Sequence, residues 1–223
     1  MKEYIKILMK TMLFKGICPI DAEKFLECAK YKILHFKKNE IVLKNGNFNT
    51  KVYILLDGKI NLYRIDFEGN CNIIESITSA QIFGASFACS GQKLSLSAVA
   101  DSDCSVLVFD GEKLFNICNN SCDFHRVLVS NLIKIFSQKN ILLNEKIQCL
   151  SKKTTKEKIM TYLFLVSQKI GENEFDIPFD RQQLADYLGV ERSAMSVEIS
   201  KLRKEKIIEN NKNHFKILKD LSL

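Results

Sequence analysis

Proline and glycine are scarce in this chain, two and nine among 223 residues. With so few breakers, neither a low-complexity linker nor an internal repeat is visible. No apolar run reaches the roughly 20 residues that a bilayer span needs. The start, Met1-Lys2-Glu3-Tyr4, lacks the basic-then-apolar layout of a secretory signal. These absences point to a cytoplasmic chain with no membrane partner. Eight cysteines, at 18, 28, 71, 89, 104, 118, 122 and 149, form no Cys-x-x-Cys pair, so no structural zinc or other metal site is expected. In a reducing compartment such thiols pack as small apolar side chains. Cys118 and Cys122 are the exception, because four residues apart on a helix they share a face. Three histidines in separate elements, with no Ser/His/Asp constellation and no phosphate-cradling glycine loop, argue against an enzyme.

What is present fits two modest domains: 46% apolar residues for the cores and an ordinary 26% charged. The net charge is +7, and its placement says more than its size. Between 201 and 219 lie Lys201, Arg203, Lys204, Lys206, Lys212, Lys216 and Lys219, against only Glu205 and Glu209. That local excess is compatible with a polyanionic partner.

Along the chain, Tyr4, Ile5, Leu8 and Met12 recur at helical spacing. Pro19 and Asp21 open a second helix carrying Phe25, Leu26 and Ala29. From about 33 to 109 the texture changes to short β-type runs at 52–56, 59–64, 72–74 and 105–109. Turn signals separate them at Asn45-Gly46-Asn47, Asp57-Gly58, Glu68-Gly69-Asn70, Gly84 and Ser90-Gly91. Asp57-Gly58 between two apolar runs predicts a hairpin. Many short strands imply an antiparallel barrel or sandwich.

After Asp110 the pattern turns helical. Leu128, Leu132 and Ile135 form one apolar row, Val129, Ile133 and Phe136 another, continued by Leu142, Leu143, Ile147 and Leu150. Uninterrupted to Leu150, such a helix spans about 45 Å. That length favours a seam with a second copy, for which Leu128, Leu132, Ile135, Phe136, Leu142 and Leu143 are the candidates. The alternative is a core helix lying against its own barrel.

A helix at about 155–168 follows, with Ile159, Tyr162, Leu163 and Val166 on one face, then a short strand at 175–179 ending at Pro178. Asp180 is a good N-cap for a helix containing Leu184, Ala185 and Leu188, and Gly189 supplies a tight turn. In the next helix Met195, Ile199 and Leu202 face inward, which turns Arg192, Ser193, Ser196, Val197 and Ser200 outward. This is helix-turn-helix anatomy, and the short outward side chains would let the backbone approach base edges. Beyond it, 207–208 and 215–218 flank the polar tip Asn210-Asn211-Lys212-Asn213, a hairpin wing with Lys212 at its tip.

The run Arg181-Gln182-Gln183-Leu184-Ala185-Asp186-Tyr187-Leu188-Gly189-Val190-Glu191-Arg192-Ser193-Ala194-Met195-Ser196 resembles the winged-helix signature of the Crp/Fnr family. The resemblance covers the whole chain. Phe14-Lys15-Gly16-Ile17 is similar to the family's entry segment, 52–63 to a hairpin of its sensor barrel, and Ile82-Phe83-Gly84 to its effector-pocket motif. The helix from Ser121 resembles its dimerisation helix. The resemblance implies an α+β chain: an N-terminal antiparallel β-roll or jelly-roll sensor (1–115), a long dimerisation helix (116–150) and a C-terminal winged helix-turn-helix domain (151–223).

By the same resemblance, Arg192 reaches guanine or phosphate, Ser193 and Ser196 lie beside the bases, and Asp180, Arg181 and Gln182 approach the phosphate backbone. Glu191, Val197, Ser200 and Lys212 complete the candidate DNA surface. Val197 departs from the family, many of whose members carry arginine there; valine can instead pack on a thymine methyl.

Family members that bind cyclic AMP hold Phe-Gly-Glu and, about ten residues on, an arginine for the phosphate. A buried phosphate needs such a fork of donors. Here Ala85 replaces the glutamate and Leu94 the arginine, with Lys93 the nearest cation. The resemblance therefore implies an unidentified effector other than a cyclic nucleotide, in a pocket of Phe83, Gly84, Ala85, Phe87, Leu94 and Leu96, with Cys89 alongside. The other reading of these residues is plain barrel core. An iron–sulfur cluster finds only Cys18 and Cys28 near the N-terminus, and haem only His35 and His125 as ligands, His214 lying in the wing. Neither cofactor is expected. The implied partners are double-stranded DNA with a near-palindromic operator, a second copy of the chain, the small-molecule effector and RNA polymerase. The competing reading is an effector-binding or protein-interaction dimer whose helix-turn-helix has lost DNA affinity.

Overall fold

The structure, a computed structural model, describes residues 3–65, 71–115 and 123–218. The chain divides into two units, 1–136 and 137–223. The first opens with α1 (Glu3–Leu8) and α2 (Pro19–Cys28). Proline suits the start of α2 because its missing N–H would have no intrahelical partner there. Ile5, Leu8, Phe25 and Leu26 are buried, whereas Met12 lies beyond α1 and is exposed.

The strands of this unit are β1 (Lys32–Phe36), β2 (Ile41–Leu43), β3 (Lys51–Asp57), β4 (Ile60–Ile65), β5 (Cys71–Ile77), β6 (Ile82–Phe83), β7 (Ser97–Ala100) and β8 (Cys104–Asp110). They make two four-stranded antiparallel sheets, ordered β1-β8-β3-β6 and β2-β7-β4-β5. In the central pair, Val52 lies opposite Phe109 and Ile54 opposite Leu107. These side chains join Phe25 and Leu26 in one core. The alternate residues Tyr53, Leu55, Val106 and Val108 enter a second core with Ile60, Leu62 and Ile77 of the other sheet. Both faces of β3 and β8 are therefore covered, which is why they read as unbroken apolar runs. Each such side chain contributes roughly 1.5–3 kcal/mol on burial.

The hairpin expected at Asp57-Gly58 does not form. β3 and β4 belong to different sheets, and the chain crosses between them at this point. Gly58 has φ +89°, and a Cβ there would stand 2.4 Å from the Asp103 carbonyl oxygen and 2.6 Å from Cys104 Cβ. Its glycine answers a close backbone approach. β4 instead pairs with β5, Ile60 opposite Ile77; Glu68-Gly69-Asn70 falls outside the described residues, as do Cys118 and Cys122. A short helix that strand patterning does not announce, α3 (Ala85–Ser90), is bounded by Gly84 and Gly91, both at positive φ. α4 (Glu112–Phe115) follows β8.

α5 (Asp123–Leu150) has 28 residues, and the divide between the units falls within it. Leu128, Leu132 and Ile135 do not face outward toward a second copy: they are buried in the first unit's own core, and Phe136 packs against it. The α1 and α2 residues and the outer faces of β3 and β8 already supply this row's apolar partners. Asn131, also buried, donates to the carbonyls of Leu13 (2.9 Å) and Lys15 (2.7 Å). By contrast Ile133, Leu142, Leu143 and Ile147 are more than half exposed.

The second unit continues with α6 (Thr155–Ile170), β9 (Glu174–Asp176), α7 (Arg181–Leu188), α8 (Arg192–Lys204), β10 (Ile208–Asn211) and β11 (His214–Ile217). Thr154 and Glu157 form a capping box at the start of α6. Ile159, Leu163, Leu184, Leu188, Met195 and Leu202 are fully buried in one core. The wing hairpin gains a third strand, giving the order β10-β11-β9.

Candidate nucleic-acid interface

The helix-turn-helix is α7, the turn Gly189-Val190-Glu191, and α8. Asp180 caps α7, its carboxylate accepting the Gln183 N–H (2.8 Å) while the Gln183 side chain accepts the Asp180 N–H (2.9 Å). Gly189, at φ +58°, ends the helix in the left-handed region. Lys158 adds a cation at this C-terminus, its ammonium donating to the carbonyls of Leu188 (3.2 Å) and Gly189 (3.4 Å). Glu191 caps α8 by accepting the backbone N–H groups of Ser193 (2.9 Å) and Ala194 (3.0 Å) and the Ser193 hydroxyl. The Ser193 hydroxyl, then those two N–H groups, hold the Glu191 carboxyl below its ordinary pKa.

Met195, Ile199 and Leu202 face the core as the spacing predicts, leaving Arg192, Ser193, Ser196, Val197 and Ser200 exposed. The Ser196 hydroxyl donates to the Arg192 carbonyl and the Ser200 hydroxyl to the Ser196 carbonyl, both at 2.9 Å. With their protons held inside the helix, these hydroxyls present oxygen outward as acceptors. Among the described residues the Arg192 guanidinium has no hydrogen-bond or ion-pair partner.

An open cleft of about 830 Å³ brings Asp180, Arg181, Gln182, Arg192 and Lys212 together. Pro178, Phe179, Gln183 and Asn213 also line it, residues that helix patterning alone does not single out. The Asp180-to-Gln183 spacing, a capping-box signature, is the signal that could have marked Gln183. Arg181 lies over the Phe215 ring, 5.2 Å from its centre, joining α7 to the wing. Burial, then the charge of Arg203, lowers its pKa, but an arginine so shifted stays charged. Gln182 donates to Asp186 (2.8 Å). Lys212 sits at the wing tip with φ +53°.

Part of the basic excess noted in the sequence is neutralised by folding. Lys201 pairs with Glu198 at 2.6 Å and Lys216 with Glu174 at 2.8 Å. On the same sheet His214 bridges Asp176 (Nδ1, 3.0 Å) and Glu174 (Nε2, 3.2 Å).

In the first unit the effector candidates separate. Phe83 and Leu94 are buried in the core between the two sheets, and Phe87 and Leu96 pack against it. Ala85, expected beside them, belongs to the other core, because α3 turns it away from the sheet interface. Gly84 has φ +75°, and a Cβ there would lie 2.8 Å from the Tyr53 ring. Cys89 is exposed. His35 bonds Ser105 at 2.9 Å. His125 is buried against Phe25 and Phe124, and that burial lowers its pKa. Among the described residues no group of three or more His, Cys, Asp or Glu is placed to hold a metal ion.

Comparison with known proteins matches the two units to two families. The cyclic nucleotide-binding domain matches residues 33–121 and the Crp-like helix-turn-helix domain residues 157–222. The chain belongs to the Crp/Fnr family. Among this family's curated members, the HTH-type transcriptional regulator ArcR of Staphylococcus epidermidis is 24% identical over 85% of this chain and 83% of its own. Among solved structures, OCPA-complexed CprK matches with TM-score 0.62 at 15% identity, over 89% of this chain and 91% of that one. The Thermus thermophilus catabolite activator protein matches with TM-score 0.51 at 18% identity, over 93% of each chain. The two structures share the fold. This Crp/Fnr chain is a DNA-binding transcription regulator, not an enzyme, and the described residues include no helix long and apolar enough to cross a membrane.

Proposed function

We propose that this regulator works in the cytoplasm as a homodimer on a near-palindromic operator, controlled by an effector other than a cyclic nucleotide. In this reading 1–115 senses, 116–150 pairs the chains and 151–223 binds DNA. The observation that carries it is the cleft, where the start of α7, Arg192 (without a partner among the described residues) and the wing-tip Lys212 converge. A helix N-terminus with two cations beside it suits a DNA phosphate. Arg192 then forks to guanine or phosphate, Ser193, Ser196 and Ser200 offer oxygens to base amino groups, and Val197, 54% exposed, packs on a thymine methyl. Two such helices on a two-fold axis read half-sites about one helical turn, roughly 34–36 Å, apart.

The effector reading rests on Leu94. It is 2% exposed among apolar neighbours, where a cyclic phosphate would need charged donors. Phe83, Phe87, Leu94 and Leu96 suit a neutral, apolar ligand, whose binding shifts the population competent for both half-sites. RNA polymerase is the further partner of a DNA-bound regulator.

Gel shift with the promoter of its own gene, over a salt series, tests the DNA reading. Affinity should fall steeply with salt, and cyclic AMP should leave it unchanged. The rival, a dimer that has lost DNA binding, draws on the apolar Val197; it forecasts no retarded species at any salt.

A further inference from the structure

The tip of the wing combines a disfavoured backbone with a lock that holds it. Asn211 pairs with His214, so Lys212 and Asn213 make a two-residue hairpin loop. Its first position, Lys212, has φ +53°. Glycine or asparagine suits such a position, whereas a lysine there presses its Cβ against the following carbonyl oxygen. A long side chain keeps this backbone only where its surroundings impose it, and such positions gather at functional sites. Among the described residues the Lys212 ammonium has no acidic partner, while Lys201 and Lys216 are paired.

The lock is Asn213. β9 and β11 pair as far as Asp176 and His214. One step further, the Ile177 N–H donates to the Asn213 carbonyl at 2.9 Å. The return bond comes from a side chain, with Asn213 Nδ2 donating to the Ile177 carbonyl at 3.2 Å. Ile177 is 2% exposed, and only Pro178 and Phe179 separate it from Asp180, the cap of α7. The tip is thus tied to the segment that enters α7, and Lys212 and Asn213 line one cleft with Asp180, Arg181 and Gln182.

We propose that Asn213 is the positioning residue of the wing: its bond to Ile177 holds Lys212 in the left-handed conformation that keeps the ammonium beside the start of α7, where it meets a DNA phosphate. The inference rests on the DNA reading above and names the residue that makes this contact rigid. A loose tip would have to be ordered when DNA arrives, at a cost in affinity; a locked tip is ordered beforehand.

Salt dependence isolates this role. Each phosphate neutralised by a cation adds about 0.9 to the slope of log affinity against log salt. Asn213 is uncharged, so any slope lost on its removal is lost through a cation. Gel-shift titrations of the full chain use the promoter of its own gene and a random-sequence duplex of equal length, with the urea midpoint of the second unit as the check on folding. Asn213→Ala should lower the slope by about 0.9 for each wing bound, equally on both duplexes. Lys212→Gly, which suits the φ of the tip, should lower it by the same amount. The double variant should lose no more than either alone. An unmoved slope in Lys212→Gly takes the tip off the phosphates and overturns the proposal, though the DNA reading stands. A slope that falls in Lys212→Gly but not in Asn213→Ala leaves Lys212 on DNA and overturns the role of Asn213, as do losses that add in the double variant. A wild-type chain that retards neither duplex at any salt overturns the DNA reading and this one together.

Discussion

In the second unit the polar side chains proposed to meet DNA stay at the surface, and most are held by a bond to their own helix: Asp180 to Gln183, Glu191 to Ser193 and Ala194, Ser196 to Arg192, Ser200 to Ser196. In the first unit the effector-pocket candidates Leu94 and Ala85 are apolar and buried, each in a different core. The contrast separates two kinds of constraint. DNA presents the same phosphate spacing and groove width to every reader, so the groups that meet it must keep their places. A sensor pocket answers only to its own ligand, and the neutral effector proposed above would need no charged donors in it.

The largest expected effect tests which side of α5 belongs to the barrel. Leu132→Glu puts a carboxylate at a site 2% exposed and should destabilise the first unit by about 4 kcal/mol or more. A thermal scan should show the first unit's transition lost or far lower with the second unit's in place; an unmoved transition would return Leu132 to a seam between chains. Arg192→Ala addresses the other unit, and specific DNA affinity should fall by about 1–3 kcal/mol at fixed salt. Unchanged affinity in a titration would remove Arg192 from the recognition surface. Asp180→Ala removes one half of the capping box and should cost about 1 kcal/mol of second-unit stability in urea unfolding; no shift in midpoint would show that the cap contributes nothing there.

The smallest effect is a pH dependence in the wing. Glu174, then Asp176, raises the pKa of His214 above its ordinary 6.5. A raised folded-state pKa stabilises fully below the unfolded value and loses that contribution as pH climbs through the folded one. The wing sheet should therefore loosen slightly above pH 6.5, and less so in high salt, since all three groups are well exposed. An imidazole titration by NMR with its midpoint at or below the ordinary value would contradict this.

The helix-turn-helix could be read from the chain because each of its signals is local. Asp180 caps, Gly189 turns, and Met195, Ile199 and Leu202 repeat on one face within a dozen residues. The barrel was less legible because its decisive contacts are not local. Asp57-Gly58 carries the letters of a hairpin, yet the glycine is there for Asp103 and Cys104, some 45 residues away. Periodicity found both apolar rows of α5 but not which one its own unit would cover, since a core and a partner ask for the same side chains. The ion pair of Lys216 was hidden for another reason: Glu174 reaches it only because β9 pairs with β11.

The self-bonded serines of α8 bear on how fast this protein finds its site. Side chains that are short and already satisfied by their own helix ask little of the wrong sequence and snag on none of it. If the proposed phosphate contacts at the start of α7 and at Lys212 hold the chain alone, it is free to slide along DNA. On the proposed reading Arg192, at the start of that face, is the long side chain among these short ones, so scanning and stopping would fall to different residues of the same helix.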